Sequence, residues 1–223
     1  MTGVTGADPD LICQYWRSIL MSDSRHDNDL HTADAGVAAR LDARVAAGTL
    51  SADPAQRAVA DALDMALDDI RATQGRSLLS RLTRRKDSLQ GLYIHGGVGR
   101  GKTMLMDMFH DALAAAVTGI TPFRLHFHDF MVLAQDEVHA AREAVAADPI
   151  ITAADALAAR GRVMCFDEME VRDIADAMIL ARLFTALFDR GVTLVATSNR
   201  HADELYKNGL HRDRFLPFIA LLK

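Results

Sequence analysis

The run Gly96-Gly97-Val98-Gly99-Arg100-Gly101-Lys102-Thr103 constrains this chain more than any other, because it ties one backbone shape to one kind of ligand. It follows a short apolar run, Leu92 to His95, and opens a helical pattern through Met104, Leu105 and Met108. Those flanks are what the spacing G-x-x-x-x-G-K-[ST] needs to read as a phosphate loop. Gly96, Gly97, Gly99 and Gly101 let the main chain curl. The N–H groups of the loop, Val98 and Arg100 included, then point at phosphate oxygens, and the helix start adds its partial positive charge. Lys102 would reach the β- and γ-phosphates and Thr103 would offer a hydroxyl to Mg²⁺. The bland alternative is a Gly-rich turn that happens to end in Lys-Thr, and the flanks argue against it.

The residues after Gly91 alternate short apolar runs with longer helical patterns. The order reads strand (92–95), helix (102–117), strand (123–127), helices (129–147 and 152–160), strand (163–166), helix (174–190), strand (193–197) and short helices to Lys223. Such alternation predicts an α/β fold with a parallel sheet covered on both faces, a P-loop NTPase sheet flanked by helices. Asp173 is placed to cap the 174–190 helix, and Ile174, Met178, Ala181, Phe184 and Phe188 share one predicted side.

Val163-Met164-Cys165-Phe166 delivers Asp167 and Glu168 at a strand's C-terminal end, where ligands gather in open α/β sheets. Asp167 is the candidate Mg²⁺ ligand. Glu168 is the candidate base for the attacking water. The strand 193–197 ends in Ser198-Asn199, and Asn199 can address the γ-phosphate or the water if that strand lies between the other two. Arg214, and after it Arg212, are candidates for a guanidinium offered to a neighbouring subunit's nucleotide. His126 and His128, two apart, are predicted to face the same way on one strand; paired structural histidines are the plainer reading.

A length of 223 residues with 50% apolar content is enough for a full core, which argues against disorder for most of the chain. A net charge of −5 argues against a nucleic-acid-coating protein. Two distant cysteines, Cys13 and Cys165, suggest no disulfide framework and make a reducing cytoplasm the default. No run approaches the ~18 apolar residues of a spanning helix. Residues 1–37 read as a polar extension with a short amphipathic helix around Ile12, Tyr15, Trp16, Ile19 and Leu20. Residues 38–88 read as a small helical region and linker, two Ala-rich helices parted by Gly48-Thr49-Leu50-Ser51 and Asp53-Pro54, then the basic cluster Arg81, Arg84, Arg85 and Lys86. Residues 89–223 form the α/β core.

Several strings resemble the ZapE/AFG-like ATPases, AAA+ proteins linked to bacterial cell division and to mitochondrial inner-membrane quality control. They are Ser51-Ala52-Asp53-Pro54-Ala55-Gln56, Gly91-Leu92-Tyr93 through Thr103, His126-Phe127-His128 with Phe130-Met131, and Cys165-Phe166-Asp167-Glu168. Asp173 to Leu180, Ala196 to Arg200, Leu205 to Leu210 and Phe215 to Ile219 continue the match, which is specific after Asp173. The resemblance implies a Mg-dependent, ring-forming ATPase with ATP and Mg²⁺ as ligands, hexameric and acting on a protein partner. That partner would be division machinery or a membrane-associated client, with the enzyme cytoplasmic or peripheral to the inner membrane.

This chain has Met169-Glu170 where the family usually has Phe-Gln, and His95 where an aromatic residue is usual. The family also continues past this point into a last core strand and a helical lid. Its sheet order, 5-1-4-3-2, then implies an exposed edge at the phosphate-loop strand, and a chain of this length that binds nucleotide but turns it over slowly. Three other readings stand beside it: a P-loop kinase, a non-hydrolysing adaptor and a helicase loader.

Overall fold

In the computed structural model, residues 35–74, 91–116 and 122–223 are described, together with the backbone of residues 11–16. Strand β1 (Leu11–Trp16) precedes helices α1 (Val37–Ala46) and α2 (Pro54–Gln74). Then follow β2 (Gly91–Gly96), α3 (Lys102–Ala116), β3 (Phe123–His126), α4 (Phe127–Glu143), α5 (Pro149–Arg160) and β4 (Val163–Asp167). The chain continues with α6 (Ile174–Asp189), β5 (Thr193–Ser198), two short 3-10 turns at Ala202–Glu204 and Arg212–Arg214, and α7 (Leu216–Leu221).

The sheet order is β1-β2-β5-β4-β3, with β2, β5, β4 and β3 parallel and β1 antiparallel to β2. Parallel strands joined by helical crossovers are the expected α/β architecture. The edge is where the outcome departs from expectation. The phosphate-loop strand is not exposed, because β1 pairs along it from Leu11 opposite Gly96 to Trp16 opposite Gly91. The N-terminal amphipathic helix is thus corrected to a strand over residues 11–16. Its spacing of apolar residues suited a helix. Ile12, Tyr15 and Trp16 also favour extended backbone, and a row of unpaired β2 amides and carbonyls decides between the two. Ile19, Leu20 and the basic cluster at Arg81, Arg84, Arg85 and Lys86 lie outside the described residues.

Side chains alternate strictly across the sheet. Leu92, Ile94, Val163, Cys165 and Val195 enter one cluster with α1, α2 and α3, whereas Tyr93, Met164, Phe166, Leu194 and Ala196 enter the other with α4 to α7. The helical region ahead of the sheet therefore contributes α1 and α2 to one core layer. Asp64 of α2 ties the two together: its carboxylate accepts from the N–H groups of Val37 and Ala38 at 2.6 and 3.0 Å, capping α1 where Gly36 has no side chain to do so.

On the opposite layer α6 buries Ala177, Leu180, Leu183, Phe184, Ala186, Leu187 and Phe188. The stripe is wider than the predicted one and turned away from Ile174, which is 36% exposed, because α6 packs against both α5 and α7. Asp173 caps it as expected, accepting from Ala175 N–H at 2.6 Å. No helix among the described residues is long and apolar enough to cross a membrane.

Candidate functional site

The C-terminal ends of β2, β4 and β5 bring the motifs to one edge. In the loop after β2, Gly99 and Gly101 have φ of +78° and +86°, a region closed to most side chains. Lys102 folds back over the loop, its Nζ donating to the Gly96 and Gly97 carbonyls at 2.8 and 2.7 Å. Burial lowers the Lys102 pKa, and the charge of the Glu168 carboxylate acts in the opposite direction. Thr103 is exposed in the first turn of α3. Gln56, at the start of α2, donates to the Arg100 carbonyl at 3.2 Å, and a Cβ on Gly101 would come within 2.9 Å of its Nε2.

Asp167 ends β4 on a rigid base. The Phe166 ring packs on Phe130 at 4.3 Å and on Phe127 and Phe184 at 5.9 and 6.2 Å between centroids. Strand alternation puts Asp167 on the same face as Val163 and Cys165, the face that carries α3. Arg124 of β3 reaches it there: Nε donates to Asp167 Oδ2 at 2.8 Å while Nη1 donates to Asp107 Oδ1 of α3 at 2.6 Å. The other oxygen, Asp167 Oδ1, is buried and has no hydrogen-bond partner among the described residues.

A hard divalent cation takes oxygen ligands, and an unpaired buried carboxylate oxygen on β4 and an exposed threonine hydroxyl at the start of α3 are donors of the kind that fit it. Cys165, wholly buried, has its thiol pushed up to about 12 by desolvation and is no competing ligand.

Glu168 leaves the strand in the left-handed region, at φ +56°. That conformation costs on the order of 1 kcal/mol for a residue with a Cβ. The end of β5 holds it: Glu168 N–H donates to Thr197 Oγ1 at 3.2 Å, Met169 N–H to the Thr197 carbonyl at 2.6 Å, and Ser198 Oγ to the Met169 carbonyl at 2.8 Å. Glu168 is exposed at this turn, whereas Asp167 before it is buried.

Strand β5 does lie between β2 and β4, the condition set for Asn199. Asn199 is exposed and lines an open cleft of about 830 Å³ with Glu168, Glu170, Arg172, Asp173 and Arg200. His126 and His128 line the same cleft, but not from one strand. His126 closes β3 and His128 sits in the first turn of α4, so the expected same-face pair is corrected. The helix starts earlier than its periodicity implied because Phe127 and Phe130 both bury against β4.

Arg212 turns inward, its Nη2 donating to the Asp203 carbonyl at 2.6 Å, while Arg214 is exposed. At the end of β2, His95 is 6% exposed and its Nε2 lacks a hydrogen-bond partner among the described residues. Burial, aided by His201 and Lys102, lowers its pKa to about 4.

Four contributors escaped the sequence reading as site residues: Gln56, Arg124, Thr197 and Ser198. Gln56 closes the string Ser51 to Gln56, and Thr197-Ser198 stand beside Asn199, so position alone points near them. For Arg124 the only signal was a charge inside an otherwise apolar strand pattern.

Comparison with known proteins bears on the whole arrangement. Over 135 residues, 60% of this chain, the sequence is 52% identical to the cell division protein ZapE of Escherichia coli K12, covering 34% of that protein. Over 143 residues it is 46% identical to lactation elevated protein 1 homolog B of Danio rerio, covering 28% of it. The matched stretch thus spans about a third of the length of these curated relatives. A crystal structure of a protein described as a primosome component from Streptococcus pyogenes serotype M3 aligns with TM-score 0.42 and 23% identity, covering 75% of this chain and 76% of that one. The model of the AFG1-like ATPase family matches residues 36–223, from the start of α1 through both core layers and the loop and acid turn between them; the chain belongs to that family.

Proposed function

We propose that this chain binds ATP with Mg²⁺ and hydrolyses it. The observation that carries the reading is that β2, β5 and β4 run parallel side by side, so the phosphate loop after β2 and the acids at the end of β4 leave the sheet at the same edge. In this reading the loop amides from Gly96 to Thr103 hold the phosphates, and Lys102 exchanges the Gly96 and Gly97 carbonyls for β- and γ-oxygens. Thr103 and Asp167 hold the metal. Magnesium, when bound, neutralises charge on the phosphate oxygens. Glu168 takes the proton of the attacking water, and Asn199, on the strand between loop and acids, orients that water.

At the level of the assembly, the proposal is a homo-oligomeric ring of AAA+ type, a hexamer, in which Arg214 reaches a neighbour's nucleotide. Its exposure supports Arg214 for that role, and the Arg212 bond to Asp203 disfavours Arg212. A protein partner in division or membrane-protein quality control, and a cytoplasmic or membrane-peripheral location, follow from the relatives' names and the family resemblance. The division at residues 37 and 88 is a reading of composition and periodicity; β1 pairing with β2 and the packing of α1 and α2 in one cluster with the sheet speak for a single core across it.

The test is phosphate release under single-turnover conditions beside binding of a fluorescent ATP analogue. Wild type should release phosphate, Lys102→Ala should lose the analogue, and Glu168→Gln should keep it while releasing almost none. A wild-type chain with no affinity for the analogue, or unchanged release by Glu168→Gln, overturns the proposal.

A further inference from the structure

We propose that Arg124 is a positioning residue for the metal-binding carboxylate: by gripping Asp167 Oδ2 it presents Oδ1 to a divalent cation. The inference rests on the ATP and Mg²⁺ reading above and names a part of the site which that reading does not contain.

The two oxygens of Asp167 are treated unequally. Oδ2 accepts from Arg124 Nε at 2.8 Å, whereas Oδ1 is buried with no hydrogen-bond partner among the described residues. A carboxylate serving only to tie β4 to β3 would satisfy both oxygens, since each buried one left unpaired is costly. An oxygen held open beside a hydrogen-bonded twin is the arrangement that metal-ligating carboxylates need: the outer bond fixes the rotamer and the free oxygen takes the ion.

Arg124 is itself tethered. Its Nη1 donates to Asp107 Oδ1 at 2.6 Å, and Asp107 stands one turn after Thr103 on α3. The guanidinium therefore joins the helix that carries the threonine ligand to the strand that carries the acid ligand, and fixes the spacing between them. Arginine suits this task and lysine does not. A planar fork can hold two acids in set directions at once, while an ammonium would pull Asp167 as a point charge without setting its orientation.

The experiment measures binding of a fluorescent ATP analogue to the whole chain across a Mg²⁺ titration and again in EDTA. Arg124→Gln should raise the Mg²⁺ midpoint about 10-fold while affinity in EDTA stays at the wild-type value. Arg124→Lys should restore little of the shift. A midpoint that stays or falls in Arg124→Gln, or an equal loss of affinity with and without metal, overturns the proposal.

Should Arg124→Gln not fold, Asp107→Asn, altered at an exposed carboxylate, should still raise the midpoint about 3-fold through loss of the tether. An unmoved midpoint there counts against the proposal equally. A wild type whose binding ignores Mg²⁺ overturns the metal reading of the site and this inference with it. A metal-dependent wild type with unshifted variants overturns this inference alone.

Discussion

The phosphate loop and the acid turn meet at one sheet edge, but the loop takes its shape from its own residues whereas the turn borrows its shape from a neighbouring strand. Gly99 and Gly101 reach positive φ because they carry no Cβ, so the loop's path is written into eight consecutive positions. Glu168 reaches φ +56° with a full side chain, and Thr197 and Ser198, some thirty residues further on, supply the hydrogen bonds that hold it there. A loop built from backbone should fail by losing ligand. A turn built from cross-strand contacts should fail by mis-aiming a side chain that ligand binding does not need.

The largest separation between the two comes from Glu168→Gln. Turnover should fall by about 10²- to 10⁴-fold, the usual worth of a positioned general base, while affinity for the ATP analogue changes less than about 3-fold. Parallel loss of binding would merge the two regions into one.

The next effect tests the loop side through acid. His95 has its folded pKa lowered to about 4, so it stays neutral in the fold while the unfolded chain takes up its proton below about 6.5. The unfolded state therefore binds more protons in that window, and stability falls as pH drops from about 6.5 to about 4, by on the order of 3 kcal/mol, and levels off below. Denaturant melts of wild type and His95→Phe across that range should diverge, the variant lacking this slope. Identical slopes would remove His95 as their source.

Gly101→Ala tests the loop's dependence on glycine. The new Cβ would sit at φ +86° and 2.9 Å from Gln56 Nε2, and affinity for the analogue should fall about 10-fold, roughly 1.4 kcal/mol. Adding Gln56→Ala should recover only part, since it relieves the contact and leaves the backbone strain. Full recovery would make the contact with α2 the whole effect.

The smallest effect sharpens the turn. Thr197→Val removes the hydroxyl that accepts from Glu168 N–H and should slow phosphate release about 5-fold, near the ~1 kcal/mol of one hydrogen bond, at unchanged affinity. Thr197→Ser should restore the rate. A drop in affinity instead would place Thr197 on the binding side of the comparison.

The same contrast explains what could be read in advance. Glycines at set spacing, a Lys-Thr pair opening a helix and an apolar strand ending in Asp167-Glu168 are local patterns, and their elements appear within a few residues of the expected bounds. Arg124 was not legible, because its two acids lie 17 positions before it and 43 after it, and only strand order brings them together. The stretch around Ile12 misled for a related reason: its apolar spacing fits a helix, and only the open side of β2 turns it into a strand.

What the amino-acid order determined by itself was therefore the local shapes: a curled glycine loop, alternating strands and helices, and two carboxylates at a strand end. Such shapes follow from steric limits and periodicity over a few residues. Tertiary structure alone decided that β5 runs between loop and acids, that Thr197 and Ser198 hold Glu168 in a left-handed turn, and that Arg124 grips one oxygen of Asp167. Those are pairings between residues distant in the chain, and no window of neighbouring residues carries their register.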